Sequence, residues 1–477
     1  MLGWIRALPL SFLVSCSTKT GKYFRLPTSR SYPICFDWRK SQISTGTNAM
    51  NINMDDMMSG SAAHCEDGKP LTRTTSWQKD LNSTTAEVTF HVVGDAYVDF
   101  FSFLDGEWPE SGGDSRLGEP VKCYAGGSSV NTATHLKALI RNFTDEPKPP
   151  VVLHTVLNPD DQYGQILMDH AKSHEIPIDN RRREGDASTT GHCIAIVSGG
   201  ERSFMTHQGV VGNFSADDLD VEEIGSTPTH LHLHIAGYYN IPGFWNGKLK
   251  QKLEAVRNMR KRMFPDKNTT ISLVTQHDAT KEWDGGLSDL FPLLDFVLMN
   301  DLEARSIIRC AKGGKRIGYE HEHLEWADYF GGLDRSSKTI ITRGEKGSVA
   351  LQHKRILSKQ KPIVMNSIDP TGAGDSFTAG FLFGLWSWKL GRREETTETK
   401  PGEREGMDGM NGGDGAWPTE AIEEGMRWGV SLASAAVMIR GASVPPDGSE
   451  IQKILEQAKE PEYPVFDNGY SQLSSCY

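Results

Sequence analysis

The sequence predicts an α/β fold in which helices cover both faces of a parallel β-sheet. Short β-branched runs alternate with segments of helical periodicity through most of the chain after residue 86. That alternation is typical of strand–helix–strand units, whose parallel strands are buried on both faces. The chain has 477 residues, which is enough for one large domain or for two to three ordinary ones.

The hydrophobic pattern gives the order of these elements. Predicted strands cover residues 88–93, 151–156, 231–235, 271–275, 296–299, 339–342 and 349–352. Predicted helices cover residues 165–174, 248–263, 373–386 and 419–439. Two alternating runs, 193–197 and 202–207, flank Gly199-Gly200, and a Gly-Gly pair in that position indicates a hairpin.

The ends of the chain differ from this body. Residues 1–36 contain basic side chains and no acidic one, which is typical of an organelle transit peptide or a short signal sequence. A disordered tail without a targeting function is the alternative. The protein is thus expected in the cytoplasm, or in a plastid or mitochondrion if the segment is a transit peptide. We predict a disordered linker at 37–85, a folded domain at 86–460, an exposed insertion at 391–417 and a tail at 461–477.

The net charge and the cysteine pattern disfavour several classes of function. A formal net charge of -11 disfavours nucleic acid and anionic membranes as partners, and no apolar run is long enough to cross a bilayer. The seven cysteines include no C-x-x-C pair, so neither a zinc site nor a redox motif is indicated. His230, His232 and His234 share one face of a predicted strand, and a polar strand face is favoured there over a metal site.

The segment Asp369-Pro370-Thr371-Gly372-Ala373-Gly374-Asp375 directly precedes a long apolar helix. Small residues at a helix N-terminus present free amides and a positive dipole end, which together suit a negative charge. A carboxylate in such a place would repel phosphate, so we interpret Asp375 as a base that accepts a proton from an attacking hydroxyl. For an isolated motif, an acidic residue that stabilises the first helical turn is the competing interpretation.

A second cluster lies near the start of the folded domain. Gly126-Gly127 leads into a helical pattern, and Asn131 offers a donor and an acceptor to a polyol hydroxyl. Asp99 follows the first predicted strand, where acidic side chains can accept hydrogen bonds from sugar hydroxyls. A tight turn with a helix cap, and a solvated loop carboxylate, are the alternatives.

Two further clusters follow later strands. Asn300 and Glu303 come after the strand at 296–299, where they could hold the water shell of Mg²⁺. Thr342 and Gly344 come after the next strand, where they could line a nucleotide. A helix start and a hairpin turn explain the same two clusters without any ligand.

In this order the motifs resemble those of the PfkB, or ribokinase-like, family of carbohydrate and nucleoside kinases. The N-terminal signature lies around 126–139 and the more specific C-terminal signature at 369–380, and the resemblance covers about residues 87–455. It implies a ribokinase-like three-layer α/β/α Rossmann-like core with a small β-sheet lid, formed by parts of 97–125 and 190–209. It also implies ATP-dependent phosphorylation of a hydroxyl on a small sugar or sugar-like substrate, with a nucleoside as the alternative.

The same resemblance implies roles for individual residues. The base and the anion hole are Asp375, Gly372, Ala373 and Gly374. The substrate contacts are Asp99, Gly127 and Asn131. The nucleotide contacts are Asn300, Thr342, Gly344 and Gly347. The cation contacts are Glu303 for Mg²⁺ through water, and Asp369 and Thr371 for a monovalent cation such as K⁺. A small-molecule substrate and a homodimer formed through the lid are the implied partners.

The chain departs from the family pattern at one informative place. Ribokinases proper carry a Lys-Gly pair after the double glycine, where this chain has Ser128-Ser129, and this counts against ribose as the substrate. A degenerate relative that binds without catalysis is a second hypothesis, which the intact Asp375 disfavours. A dinucleotide-dependent dehydrogenase is a third, but Gly94-Asp95-Ala96 does not supply the G-x-G-x-x-G that it requires after the first strand.

Overall fold

The computed structural model describes residue 81 and residues 84–198, 201–314, 322–363, 365–398 and 417–458. The chain divides into two units after Thr72, and all described residues belong to the second unit. The predicted leader at 1–36, nearly all of the predicted linker and the predicted tail lie outside the described residues.

The described residues form thirteen strands. In chain order they are β1 Val88–Gly94, β2 Tyr97–Phe103, β3 Lys122–Gly126, β4 Val151–Thr155, β5 Ile178–Asn180, β6 His192–Ser198, β7 Glu201–His207, β8 His230–Ala236, β9 Thr269–Val274, β10 Phe296–Asn300, β11 Lys338–Thr342, β12 Ser348–Gln352 and β13 Arg355–Gln360. The α-helices in the same part of the chain are α1 Ser128–Phe143, α2 Gln162–Ser173, α3 Val221–Gly225, α4 Lys248–Met263, α5 Asp301–Ala311, α6 Glu322–Leu333, α7 Ala373–Glu398, α8 Thr419–Ala436 and α9 Gly448–Gln457.

Nine strands form the main sheet, in the order β13-β12-β11-β10-β9-β8-β1-β4-β5. The strands from β11 to β5 are parallel, and β12 and β13 run antiparallel at one edge. Alternate residues of β10 enter different cores, since Phe296 packs with α7 whereas Val297 packs with α4 and α6. Helices therefore cover both faces, and the predicted three-layer α/β/α class is confirmed.

A second, smaller sheet has the strand order β3-β2-β6-β7. Its strands come from the two segments that the family resemblance assigns to a lid. Strands β6 and β7 pair antiparallel with Ser198 opposite Glu201, while the two glycines of the predicted turn lie outside the described residues. On β2, Asp99 lies opposite Tyr124 of β3 and Cys193 of β6, so these three residues share one face of the small sheet.

The predicted insertion at 391–417 needs correction at both of its ends. Helix α7 continues to Glu398 because the residues after Trp386 include one glycine and no proline to stop it. Trp417 is buried and packs against Phe296 and Trp386. The first residues of the predicted insertion therefore continue α7, its last residue belongs to the folded body, and residues 399–416 lie outside the described part of the chain.

The histidines of β8 face the core instead of solvent. His232 and His234 both lie 2.8 Å from the Ser272 hydroxyl, and His232 accepts a hydrogen bond from the Trp386 indole. Burial lowers the pKa of His234 to about 3 and that of His232 well below its usual value. The two imidazole rings are therefore neutral and pack in the core. The polar strand face expected from the sequence is present, but it is buried.

A buried charged cluster ties the edge strand β5 to its neighbours. His154 of β4 lies 2.6 Å from the Asp179 carboxylate, and Arg181 contacts both Asp179 and Glu223 of α3. Ligand atoms of His154, Asp179 and Glu223 lie within 4.8 Å of one another, as in a metal site. The Arg181 guanidinium already supplies positive charge to both carboxylates, so the cluster is explained as a structural ion pair.

We expect Asp179→Asn to lower the free energy of unfolding by about 3 kcal/mol at pH 7, because the substitution breaks a buried ion pair. Burial raises the pKa of Asp179, but His154 and Arg181 lower it more, so the net pKa is below its usual value. This stabilisation is present above the unfolded-state pKa and is lost as the pH falls through the folded-state pKa.

Urea unfolding at pH 7 and at pH 3 to 4 measures this difference. The gap between wild type and Asp179→Asn should narrow at the lower pH. Asp328→Asn is the matched control, since Asp328 pairs with Lys354 on the exposed surface and its loss should change stability by less than about 0.5 kcal/mol. Equal losses in the two variants would contradict the structural role of the cluster.

Candidate active site

Polar side chains gather at the carboxyl edge of the parallel strands. Asp95 follows β1, Asn240 follows β8, Gln276 follows β9, Asn300 ends β10 and Thr342 ends β11. Strands β10 and β11 place Asn300 directly opposite Thr342. Ligands of open parallel sheets bind at this edge, and the predicted residues of the later motifs lie there.

Asp375 lies in the first turn of α7 and is only 5% exposed. The preceding Gly372 has φ 74°, and a Cβ at this position would lie 2.6 Å from the Cβ of Ala442. A Cβ on Gly374 would meet no atom within 4 Å. The loop therefore packs tightly at Gly372 and is open at Gly374, which leaves space beside the helix N-terminus.

Three side chains donate hydrogen bonds to Asp375. Its Oδ1 accepts from the Ser128 hydroxyl at 2.7 Å and from the Gln276 amide at 2.9 Å, and its Oδ2 accepts from the Asn131 amide at 2.9 Å. Burial raises the pKa of Asp375 to about 6, against the opposing effect of these donors. A carboxylate with that pKa is ionised at neutral pH and is still basic enough to accept a proton.

Two further carboxylates lie beside this group. Asp95 accepts from the Ser128 backbone amide at 3.0 Å and from the Asn240 side chain at 2.7 Å. Burial, together with the negative charge of neighbouring carboxylates such as Asp375, raises the pKa of Asp95 and that of Asp99 to about 7 each. The arrangement offers several hydrogen-bond acceptors to the hydroxyl groups of a ligand.

The predicted substrate residues Asp99, Gly127 and Asn131 lie in this region. The Asp99 carboxylate rests against Gly126, where a Cβ would lie 2.1 Å from Oδ2. Gly127 has φ 92°, and a Cβ there would lie 2.6 Å from the Asp95 carbonyl oxygen. The Oδ1 of Asn131 is buried and has no partner among the described residues, so it can accept a hydrogen bond from a ligand.

Asn300 and Glu303 form a capping box at the start of α5. The Asn300 side chain accepts from the Glu303 amide at 2.8 Å, and Glu303 accepts from the Asn300 amide at 3.1 Å and from Thr275 at 2.8 Å. This is the structural alternative considered for the motif. The donors surround a carboxylate whose pKa is raised by burial, so a direct metal ligand does not fit, and the role near Mg²⁺ through water stays a prediction.

The motif after β11 divides into two parts. Thr342 is half-buried at the sheet edge, and Gly344, with φ 52°, is exposed with open space around it. A Cβ on Gly347 would lie 2.1 Å from the carbonyl oxygen of Gln360 on β13. Close strand packing therefore explains the glycine at 347, while Thr342 and Gly344 line the open edge.

The segments assigned to a monovalent cation are neighbours in space. The buried Asp369 accepts hydrogen bonds from the amides of Thr371 at 3.0 Å and Gly441 at 3.1 Å. Ala442 packs against Gly372, so this carboxylate lies next to the loop before α7. Carboxylates and backbone carbonyls are ligands that hard cations prefer, and a monovalent cation beside Asp369 stays a prediction.

Several contacts of this site were missed at the sequence level: Asp95, Ser128, Asn240 and Gln276. Asp95 is the first residue after β1, and its position at a strand end was a usable signal. Ser128 attracted notice only as a departure from ribokinases. Asn240 ends a short 3-10 helix and Gln276 lies in a loop, and neither belongs to a motif, so their convergence on Asp95 and Asp375 is visible only in three dimensions.

Comparison with solved structures supports the fold. A ribokinase from Giardia lamblia aligns with a TM-score of 0.59 and 18% identity, covering 78% of this chain and 100% of that one. The tetrameric inhibited form of phosphofructokinase-2 from Escherichia coli aligns with a TM-score of 0.54 and 15% identity, covering 78% and 99%. At these identities the likeness shows a shared architecture.

Sequence comparison adds two relatives and a family. Adenosine kinase 1 and adenosine kinase 2 of Arabidopsis thaliana are each 24% identical over 233 residues, which is 46% of this chain and 62% of each relative. The match thus spans less than two thirds of these relatives. The model described as pfkB family carbohydrate kinase matches residues 90–399, more than half of the chain. The chain therefore belongs to the pfkB family of carbohydrate kinases.

Proposed function

We propose that this protein transfers the γ-phosphoryl group of ATP to a hydroxyl of a small sugar or sugar-like molecule. The observation that carries the proposal is the buried Asp375 carboxylate in the first turn of α7, with a pKa of about 6 and three side-chain donors. Its neighbours Asp99 and Asn131 are suited to bind the other hydroxyls of a polyol. Family membership supports the same reaction class.

Asp375 accepts the proton of the attacking hydroxyl as the new bond between that oxygen and the γ-phosphorus forms. The bond from phosphorus to the bridging oxygen breaks, and ADP leaves. Amides of Gly372, Ala373 and Gly374, with the positive end of the α7 dipole, stabilise the charge that develops on the phosphoryl group. The open space beside Gly374 supports this assignment.

The nucleotide is proposed to lie along the edge formed by Asn300, Thr342 and Gly344, with Gly347 holding the turn. Glu303 would hold Mg²⁺ through water, and the ion would supply positive charge against the phosphates. Asp369 and Thr371 are proposed to hold K⁺ beside the loop. These residues bind and orient the reactants, while Asp375 moves the proton.

A nucleoside is the second candidate substrate, and the lid sheet favours it. The face that carries Asp99 also carries Phe101, Ala195 and Phe204, and Phe204 is 56% exposed. An apolar face beside hydroxyl acceptors suits a ribose that bears a flat base. The similarity to adenosine kinases of Arabidopsis thaliana agrees with this candidate.

Sugar phosphates fit the same face less well. Lys122 lies on it but pairs with Glu119 at 2.7 Å, and Arg440 pairs with the same carboxylate at 2.5 Å. The one carboxylate contacts both basic side chains, so these three groups together keep a single positive charge. A dianionic substrate needs more positive charge than this, so neutral substrates are favoured.

The homodimer and the organelle address belong to the proposal as well. Ile194 and Met205 are exposed on the lid face opposite Asp99, and an exposed apolar patch there supports pairing of two lids.

Within the described part of the chain, no helix is long and apolar enough to cross a bilayer. The composition of residues 1–36 supports an organellar address.

We expect Asp375→Asn to reduce turnover by about 10²–10⁴-fold, because the variant cannot accept the proton of the attacking hydroxyl. The fold and the affinity for ATP should be nearly unchanged. ADP release measures turnover, and isothermal titration measures ATP binding. Asp328→Asn, at an exposed position of α6, is the control and should keep wild-type turnover. Near-normal turnover in Asp375→Asn would disprove the assignment of the base.

Two glycine variants separate stability from catalysis in the α7 loop. Gly372→Ala should lower the free energy of unfolding by about 1–3 kcal/mol, because its Cβ meets Ala442 and its φ is positive. Gly374→Ala should not lower stability, since its Cβ meets no atom. It should nevertheless reduce turnover by about tenfold, because the methyl group enters the proposed phosphoryl space. Wild-type turnover in Gly374→Ala would place the anion hole elsewhere.

A substrate panel of neutral sugars, sugar phosphates and nucleosides decides the acceptor. We expect ADP release with a neutral sugar or a nucleoside and not with sugar phosphates. Phe204→Ala should raise KM for a nucleoside by about tenfold, the order of one lost base–aromatic contact, and leave KM for a sugar unchanged. If ligands raise the Tm but none is turned over, the protein is a binding relative and not a kinase.

A further inference from the structure

Gln276 follows β9 with a backbone conformation that side chains rarely adopt. Its φ is 61°, in the left-handed region that favours glycine. A non-glycine residue in that region is strained, and such strain concentrates at functional sites. The half-buried side chain of Gln276 points to Asp375, so the strained backbone delivers an amide to the proposed base.

The protons of this contact can be counted. The Gln276 Nε2 lies 2.9 Å from Asp375 Oδ1 and 3.0 Å from the Ser128 Oγ, which is itself 2.7 Å from Asp375 Oδ1. Ser128 has one hydroxyl proton, which it gives to Asp375, so its oxygen accepts one amide proton from Gln276. The same amide group also donates to Oδ1. These donations suit an ionised Asp375, which can only accept.

This triangle distinguishes the two oxygens of the carboxylate. Oδ1 accepts hydrogen bonds from both Ser128 and Gln276. Among the described contacts, Oδ2 accepts from Asn131 alone and can accept from a further donor. An attacking hydroxyl therefore has Oδ2 as its acceptor. Ser128 and Gln276 thus fix the orientation of the carboxylate through Oδ1.

We propose that Gln276 is a positioning residue which, together with Ser128, holds Oδ1 of Asp375, turns Oδ2 to the attacking hydroxyl and keeps the carboxylate ionised. The inference rests on the proposed role of Asp375 as the base. It assigns a function to Ser128 at the place where ribokinases proper have another residue. It also explains why a strained glutamine follows β9.

The charged groups around Asp375 make these neutral donors important. Asp95 after β1, Asp99 on β2 and Glu303 on α5 all have a pKa that the charge of Asp375 raises, and Asp369 acts on Asp99 in the same way. These neighbours are all acidic. Hydrogen bonds from Asn131, Ser128 and Gln276 lower the pKa of Asp375 against the effect of burial. Loss of Gln276 therefore favours protonation of the base.

The test is the pH dependence of kcat/KM for Gln276→Leu, measured with saturating MgATP between pH 5 and pH 9. We expect the acid limb to move to higher pH by about one unit, the order of one lost hydrogen bond to a charge. Activity should fall by about tenfold at pH 5, about fivefold at pH 6 and much less at pH 8.5. A purely structural loss would lower activity equally at every pH.

Gln276→Gly is the second variant, because glycine suits φ 61° and lacks the amide, so this protein should fold. Its acid limb should move as in Gln276→Leu. His277→Ala is the control: the neighbouring ring is exposed, packs on Trp283 and should leave the profile unchanged. Ser128→Ala combined with Gln276→Gly should cost less than the sum of the single losses, because the two residues act on one oxygen.

The outcomes separate this inference from the function on which it rests. If both Gln276 variants keep the wild-type profile while Asp375→Asn is inactive, the positioning role is wrong and the base remains. A rise in KM with unchanged kcat and an unmoved acid limb would make Gln276 a substrate contact and overturn the inference. Activity in Asp375→Asn would instead overturn the proposed function.

Discussion

The constraint on which this site depends is the removal of the Asp375 charge from water. Burial alone raises the pKa of that carboxyl and would favour its neutral form. The fold offsets this with three donors from two distant parts of the chain, Ser128 and Asn131 on α1 and Gln276 after β9. The result is a carboxylate that is ionised near neutral pH and oriented before any ligand arrives.

The parallel sheet makes this convergence possible. Strands β1, β9 and β10 lie in one sheet and end at the same edge, so residues far apart in sequence become neighbours there. Helix α1 begins at this edge after Gly127, whose backbone passes close to Asp95. Helix α7 begins there after Gly372, whose backbone passes close to Ala442. Side chains at both glycines would separate the two helix ends that carry the donors and the base.

Much of this could be predicted from local pattern, because strands, helices and glycine turns are encoded by neighbouring residues. The strand at 88–93 and the helix at 248–263 follow from such signals. The grouping of Asp99 and Asn131 near Asp375 follows from the resemblance of the motif order to the pfkB family. Gln276 and Ser128 could not be found in this way, since their partners are 99 and 247 residues away. For Gly347 and Glu303 the local motif indicates a ligand role, but contacts with distant residues also give each a structural role. Gly347 lies close to Gln360, and Glu303 accepts a hydrogen bond from Thr275. The burial of Trp417 depends on Phe296 and Trp386, which no local pattern relates to it.

The acids around Asp375 also have a thermodynamic consequence. Burial raises the pKa of Asp95 and Asp99 to about 7 and that of Asp375 to about 6, all above the ordinary carboxyl value. From about pH 4 to about pH 7 the folded protein therefore binds more protons than the unfolded chain, so these groups make folding less favourable as the pH rises. Hydroxyl donors and cations that enter the site interact best with the ionised carboxylates. Ligand binding thus offsets the destabilisation that the buried, ionised carboxylates cause. Binding at this edge of the sheet therefore raises the stability of the whole domain.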